Sequence, residues 1–355
     1  MGGGIMLTLV TAPAFSAWAP CAEGSYTPSA LESEWTSIAE DIGKMRLTAF
    51  CQKRKELATQ LGRSLIVNRS TDGSCMRCGD RQVCIEPLVE VLRAPSFPCN
   101  DGVPQQRGPP QLYSRAAEAR MMDRSWLWTS DTSTLPPRTS TSATPARAFL
   151  FDLGASTWQV DGDLGAGLAL TSRDNSAWSS LAWLTDAFSR AGVQFDRILA
   201  WEAGPRNATA IWRGVPRAVK ASLSYYNVPV SSNPQSVDYP WAYMHEIGVD
   251  EDDLVIVKLD IDNPTIETAL LRDLLHAHTN VTTRACKEHP KRCTTEDRTR
   301  SVPLYRLVDV LFHESHSNTP IMSRYWGHKM KETLMDSYRL FGLLRERGVL
   351  AHSWT

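Results

Sequence analysis

The sequence predicts an α/β fold in which a mainly parallel sheet carries helices on both faces. From residue 148 onwards, short apolar runs alternate with amphipathic stretches, which is typical of strands connected by helices. The runs at 149–153 and 254–259 are almost continuously apolar, as strands buried on both faces are. Each run ends at acidic or turn-forming residues, and such sheets place their ligands beyond the carboxyl ends of the strands. The chain therefore predicts a parallel sheet with a ligand site at one edge.

The predicted elements follow in chain order. Within residues 30–60, apolar residues recur at the three- and four-residue steps of an amphipathic helix, namely Leu31, Trp35, Ile38, Ile42 and Met45. Ser29 and Glu32 have the spacing of a capping box at its start. The later strands are predicted at 148–154, 195–201, 223–230, 254–260, 307–314 and 349–354. The later helices are predicted at 175–191, 264–277 and 329–346.

Composition divides the chain into four parts. Residues 1–20 are apolar and rich in small residues, which resembles a signal segment without a basic start. A cysteine-containing, helical and irregular region follows at 21–128, with a second short helix predicted at 113–128. Residues 129–147 are dominated by Ser, Thr and Pro and are predicted to be a linker. The sheet domain then occupies 148–355.

Charge excludes one class of partner. The 355 residues contain 38 Lys and Arg against 39 Asp and Glu, for a formal net charge of -1. A chain without an excess of basic residues has no general field to hold nucleic acid. No apolar segment predicts a stable membrane span. We expect a globular protein with no nucleic-acid partner, and the sequence leaves its oligomeric state open.

The eight cysteines allow two interpretations. Six lie in the first hundred residues, and an even count with clustered spacing favours disulfides. The alternative is a four-thiolate zinc site, for which the candidates are Cys75, Cys78, Cys84 and Cys99. Cys286 and Cys293 close a short loop without a second pair beside it, which favours disulfides.

Disulfides, the signal-like start and three N-x-S/T sequons, at Asn68, Asn207 and Asn280, together predict the secretory pathway. A cytoplasmic protein is the alternative.

Polar residues follow several of the predicted strands. Residues 152–156 follow the first strand, and Glu202 follows the second. A carboxylate at that second position holds ribose hydroxyls in nucleotide-binding sheets. Gly154 and Ala155 would let the backbone approach a bound ligand. The alternative is an ordinary turn that needs glycine and is followed by a solvated acid.

Asp260, Asp262, Glu314 and His316 follow two later strands. Asp260 and Asp262 would lie on one side of an extended chain. The imidazole of His316 is suited to taking a proton from a bound substrate. Capping of the next helix is an alternative role for Asp262 or Asn263, and a hydrogen bond at the rim of the sheet is one for His316. Lys258, inside a buried strand, is expected to pair with a neighbouring carboxylate.

A resemblance joins these residues to a family. The segment Lys258-Leu-Asp-Ile-Asp-Asn-Pro264 resembles the K-x-D-x-E-G-x-E segment of FkbM-type S-adenosylmethionine-dependent methyltransferases, and residues 308–316 resemble the strand that ends near E-x-H. The resemblance covers about residues 146–355. Asp262 stands where the family has Glu, Asn263 where it has Gly, and an insertion follows Ser156.

The resemblance implies a Rossmann-like fold, S-adenosylmethionine as cofactor, and methylation of a small-molecule or glycan hydroxyl. No residue is assigned as a metal ligand, and metal dependence stays open. The residues expected to contact the cofactor are Asp152, Gly154, Ala155, Ser156, Glu202 and Asp262. The residues expected to act on the acceptor are Asp260, Glu314 and His316.

Two other functions stay open. Asp260-Ile-Asp262 also reads as a D-x-D pair that would hold a metal and the diphosphate of a nucleotide sugar, as in a glycosyltransferase. A Rossmann-like scaffold can also bind a ligand without catalysis. Two features favour this alternative: the insertion after Ser156, and Asn263 in place of the family's Gly.

Overall fold

A computed structural model describes residues 17–18, 21–46, 48–53, 56, 73–88, 99–100, 103–104, 137–138, 147–158, 179–281, 286, 300–318 and 330–354. Most of the predicted signal segment and linker, the predicted helix at 113–128, the insertion at 159–178 and the sequon at Asn68 lie outside these ranges.

The strands within these ranges are β1 (Ala17–Trp18), β2 (Ser74–Cys78), β3 (Arg81–Ile85), β4 (Cys99–Asn100), β5 (Val103–Pro104), β6 (Pro137–Arg138), β7 (Ala148–Leu153), β8 (Arg197–Trp201), β9 (Leu223–Tyr226), β10 (Leu254–Leu259), β11 (His278–Val281), β12 (Arg300–Pro303), β13 (Val310–His313) and β14 (Leu350–Ser353). The helices are α1 (Ala30–Lys44), α2 (Ser180–Arg190), α3 (Ala208–Trp212), α4 (Arg217–Lys220), α5 (Pro240–Glu246), α6 (Pro264–His276) and α7 (Leu334–Glu346), with a 3-10 helix at Leu304–Leu307.

Six strands form the central sheet in the spatial order β9-β8-β7-β10-β13-β14, and every neighbouring pair is parallel. The chain starts in the middle at β7, runs outwards to β9, and returns to the other side of β7 to form β10. This is the 3-2-1-4-5-6 order of the Rossmann fold, whose ligand crevice lies where the order reverses. The predicted Rossmann-like parallel sheet is confirmed, and its crevice lies between β7 and β10.

The two faces of the sheet are buried by different elements. On one face, Phe151 and Val257 share a core with side chains of α5, α6 and α7. On the other face, Leu150 and Ile256 share a core with side chains of α2. Neighbouring side chains in a strand point to opposite faces of the sheet. Because both faces are covered, every residue of β7 and β10 is buried. Helices on both faces, as predicted, explain why these two strands read as apolar runs.

Several element boundaries differ from the prediction. The helix expected within 30–60 is α1, which ends at Lys44 because Met45 has an extended backbone, and residues 48–53 are helical again. The strand expected from residue 307 begins at Val310, after the 3-10 helix. The helix expected from residue 329 begins at Leu334, where Thr333 and Asp336 form a capping box. The helix α5 and the antiparallel pair β11–β12 were not predicted.

Disulfides link the cysteine-rich region. Cys75 pairs with Cys84 across the β2–β3 hairpin, and Cys21 pairs with Cys78. These pairings exclude the zinc alternative, because three of its four thiolates are already bonded. Cys51 and Cys286 are also disulfide-bonded, with partner side chains outside the described ones.

The N-terminal region packs on the sheet domain. Trp35 and Ile42 of α1 belong to the same core as Phe341 of α7. Arg345 of α7 is fully buried, and its Nη1 donates to the Glu32 carboxylate at 2.9 Å. The described part of residues 21–88 therefore completes the core of the sheet domain. In the part of the chain that the structure describes, no helix combines the length and apolar character that crossing a bilayer requires.

Candidate functional site

The turn after β7 requires a glycine. Gly154 has a φ of 89°, and a Cβ at this position would overlap the backbone carbonyl of Asp260. The backbone N–H groups of Gly154 and Ala155 both donate to the carbonyl of Trp201, at 2.9 and 2.7 Å. The turn is thus held between the ends of β8 and β10.

A cavity of about 150 Å³ lies at the carboxyl ends of β7, β8 and β10. Its wall includes residues from all three strand ends, among them Gly154, Trp201, Glu202, Asp260 and Asp262. Sequence reasoning predicted four of these five as site residues, and the parallel sheet brings them together. Trp201 was not predicted as one. Its indole N–H is buried and has no hydrogen-bond acceptor within the described part of the chain.

Glu202 is fixed in the cavity wall by its neighbours. Its Oε1 accepts from the backbone N–H of Gly204 at 2.6 Å, and Arg206 lies 3.4 Å from its Oε2. Its backbone N–H donates to Tyr226, and its carbonyl accepts from Asn227. With its side chain 16% exposed, the carboxylate has remaining lone pairs for a ligand.

Lys258 lies beneath the cavity and joins the strand ends. Its buried Nζ donates to the carbonyl of Gly154 at 2.8 Å and lies 3.1 Å from Asp260 Oδ2 and 3.5 Å from Asp152 Oδ1. Burial acts to lower the pKa of Lys258, yet the carboxylates of Asp260 and Asp152 outweigh it and the pKa is raised. The expected pairing of Lys258 with neighbouring carboxylates is confirmed.

Three of the expected cofactor contacts do not line the cavity described above. Asp152 is fully buried, accepts from Ser180 Oγ at 2.7 Å, and has a pKa raised by burial. Ala155 is also fully buried. Ser156 is half-buried and donates to the carbonyl of Thr157 at 3.4 Å. Asp152 supports the site through Lys258, and Ala155 supports it through its backbone N–H.

Asp260 and Glu314 form a hydrogen-bonded carboxyl pair. Burial acts to raise the pKa of Asp260, but Lys258 outweighs it and the pKa is lowered. Burial, together with the Asp260 carboxylate, raises the pKa of Glu314 well above its ordinary value. Glu314 therefore holds a proton more readily than Asp260 does.

His316 is buried among three carboxyl groups. Its Nδ1 lies 2.9 Å from Glu267 Oε2, and its Nε2 lies 3.6 Å from Asp262 Oδ1 and 3.5 Å from Glu314 Oε2. Burial acts to lower the pKa of His316, but hydrogen bonds with Asp262 and Glu267 outweigh it and raise the pKa to about 11. With this pKa the imidazole holds a proton on both nitrogens near neutral pH.

Glu267 was missed by the sequence reasoning. It orients His316, and its Oε1 accepts from the backbone N–H of Ile261 at 2.8 Å. The signal lay in the helical period: Glu267 shares the buried face of α6 with Leu270, Leu271 and Leu274. A carboxylate on an apolar helix face needs a buried partner.

The two candidates for helix capping have different roles. Asn263 is the N-cap of α6, and its Oδ1 accepts from the N–H of Ile266 at 3.3 Å. Its φ is -134°, so this backbone does not require glycine. Asp262 has a φ of 56°, and its side chain is 66% exposed. Capping therefore explains Asn263 and leaves the Asp262 carboxylate available at the cavity rim.

A second cavity of about 220 Å³ lies between α6 and α7. Glu267, His313 and His316 are in its wall. His313 Nδ1 lies 3.1 Å from the carbonyl oxygen of Leu259, and burial lowers the pKa of His313.

Comparisons of the chain with protein-family models, curated proteins and solved structures find no match.

Proposed function

We propose that the protein binds S-adenosylmethionine in the crevice between β7 and β10 and transfers its methyl group to a hydroxyl oxygen. One observation carries the proposal: the Gly154 turn and the Glu202 carboxylate line the same cavity at the point where the strand order reverses. In parallel sheets of this order, that crevice binds ligands that contain adenosine.

Different residues of the cavity wall would contact different parts of S-adenosylmethionine. Glu202 would accept hydrogen bonds from the ribose hydroxyls, because its carboxylate is held in the wall and keeps free lone pairs. Gly154 lies in the cavity wall, where its backbone would contact the amino-acid portion. Trp201 offers a buried N–H for which the described residues supply no acceptor, and a ligand acceptor would remove the cost of burying that group.

The chemistry needs alignment more than strong proton removal. The acceptor oxygen forms a bond to the methyl carbon while the bond from that carbon to sulfur breaks, and sulfur leaves as a neutral thioether. The proton of the hydroxyl passes to a base. Asp260 lines the cavity as a carboxylate, so we assign it this role. Lys258 holds Asp260 in position, and Glu314 and His316 would contact the acceptor.

The acceptor and the compartment are part of the proposal. Disulfides form and persist in oxidising compartments, and the protein contains at least two. We therefore place the protein in the secretory pathway, where glycan hydroxyls are abundant acceptors.

Isothermal titration with S-adenosylmethionine and S-adenosylhomocysteine tests the proposal. We expect saturable binding, and Glu202→Gln should weaken it about tenfold or more, because a hydrogen bond to a charged group contributes about 1.5–3 kcal/mol. Glu246→Gln is the matched control, since Glu246 is exposed on α5. Equal affinity in Glu202→Gln and wild type would remove Glu202 from the site.

Titration with other ligands separates the alternatives. Binding of a nucleotide sugar only with Mn²⁺ would point to a glycosyltransferase. Against that alternative, Asp260 is already engaged by Lys258 and Glu314, so Asp260 and Asp262 are not an unencumbered D-x-D pair. Binding without methyl transfer to any hydroxyl acceptor would support the non-catalytic alternative.

A further inference from the structure

We propose that Asp262, Glu314 and His316 form a binding site for one divalent cation at the rim of the cavity. One ligand atom from each residue lies within 4.8 Å of the other two. The three residues come from two strand ends: Asp262 follows β10, and Glu314 and His316 follow β13. The parallel sheet therefore brings together a set that is dispersed in the sequence.

The spacing fits coordination to a metal. His316 Nε2 lies 3.6 Å from Asp262 Oδ1 and 3.5 Å from Glu314 Oε2. Ligand atoms about 2.1 Å from a tetrahedral metal lie about 3.4 Å from one another. The observed separations therefore need only small adjustments to hold a cation.

The histidine is oriented as a metal ligand is. Its Nδ1 lies 2.9 Å from the Glu267 carboxylate, and Glu267 is itself fixed by the N–H of Ile261. Histidine ligands characteristically donate the proton of their second nitrogen to a carboxylate, which directs the other nitrogen to the metal. In this geometry Nε2 faces Asp262 and Glu314, and a cation would replace the Nε2 proton.

The charge of the cluster also favours a cation. Four carboxyl groups, from Asp260, Asp262, Glu267 and Glu314, meet one imidazole and the amine of Lys258. Once a cation replaces the Nε2 proton of His316, carboxylates this close to one another repel strongly away from bulk water. A divalent cation among them lowers that repulsion, whereas Lys258 is already shared between Asp260 and Asp152.

The ligand set indicates which cations fit. One imidazole nitrogen and two carboxylate oxygens suit Mn²⁺ or Zn²⁺, which accept both ligand types. Asp262 belongs both to the cluster and to the cavity wall, so the open coordination positions face the cavity. An oxygen of the substrate would fill one of them. This role in binding the acceptor rests on the proposed function, whereas the cation site itself does not.

Titration of the purified full chain with Mn²⁺ alone tests the site, with free Mn²⁺ measured by electron paramagnetic resonance. We expect one saturable site in the wild type and affinity at least tenfold lower in Asp262→Asn. This variant should fold normally, because Asp262 is exposed and asparagine tolerates a positive φ. Glu314→Gln and His316→Ala should weaken binding similarly. His245→Ala and Asp252→Asn, both exposed, are controls that should bind as the wild type does.

The absence of saturable binding by the wild type, or equal affinity in Asp262→Asn, would overturn the site. The titration contains no S-adenosylmethionine, so its outcome is separate from that of the proposed function. A chain that binds S-adenosylmethionine but not Mn²⁺ would lose only the cation site. A chain that binds Mn²⁺ alone would keep the site and lose the methyltransferase proposal.

Discussion

The carbonyl oxygen of Asp260 occupies the space that a side chain at Gly154 would need. This contact brings the end of β10 against the turn after β7, and Lys258 Nζ bonds to the carbonyls of both residues. The crevice therefore depends on a backbone-to-backbone contact. Substitution at residue 154 tests its contribution.

We expect Gly154→Ala to lower the free energy of unfolding by about 2–4 kcal/mol, because the positive φ costs about 1–2 kcal/mol and the overlap with Asp260 adds a similar amount. Gly342→Ala is the matched control. Gly342 lies inside α7 with open space around it, so alanine should raise stability by about 0.5–1 kcal/mol. Urea unfolding measures both variants. An unchanged free energy of unfolding in Gly154→Ala would show that the two loops move apart at little cost.

Arg345→Met should cost about 3–5 kcal/mol of stability, because it leaves the buried Glu32 carboxylate without its cationic partner. Arg339→Met on the same helix is the control. Arg339 is 73% exposed and 3.9 Å from Asp336, so its loss should change stability by less than about 1 kcal/mol. Thermal unfolding compares them. Similar losses from both substitutions would contradict the special role of the buried pair.

The two disulfides should differ in their contribution to stability. Cys21 and Cys78 are 57 residues apart, and Cys75 and Cys84 are 9 apart. The longer loop loses more entropy on closure, which predicts about 4 kcal/mol for the first and about 2.5 kcal/mol for the second. Paired Cys→Ala variants, unfolded in urea without reductant, measure this difference. A larger loss for the Cys75–Cys84 pair would show that native packing outweighs loop entropy.

We also predict that Cys286 is bonded to Cys293. Cys286 is disulfide-bonded, and the loop between the two residues is short. Peptide mapping of unreduced protein should yield one cross-linked peptide containing both cysteines. A peptide joining Cys286 to Cys51 or Cys99 would contradict this pairing.

Hydrophobic pattern was enough to predict the sheet. The runs that became β7 and β10 are buried on both faces, and the alternation with helices implied their parallel arrangement. The pattern could not predict β11 and β12, because each has four residues and they pair across a long connection. It placed Asp152 at the ligand, although that side chain points below the turn to Lys258.

The site was predicted in part for a similar reason. Residues that follow strands, such as Glu202 and Asp260, could be found because parallel strands end at a common edge. Glu267 does not follow a strand directly, because it lies in the first turn of α6, after β10. Its partner His316 is 49 residues away. Only the folded arrangement of α6 and β13 shows that they meet.

The packing of α1 and the β2–β3 hairpin on the sheet domain has a practical consequence for recombinant work. A shortened chain beginning at residue 147 would leave Arg345 without Glu32 and would uncover apolar side chains of α7 and β13 that now contact α1 and the β2–β3 hairpin. Such a fragment is expected to aggregate, since large exposed apolar surfaces associate. Truncations made for crystallisation or assay should therefore retain the cysteine-rich region and be produced where its disulfides can form.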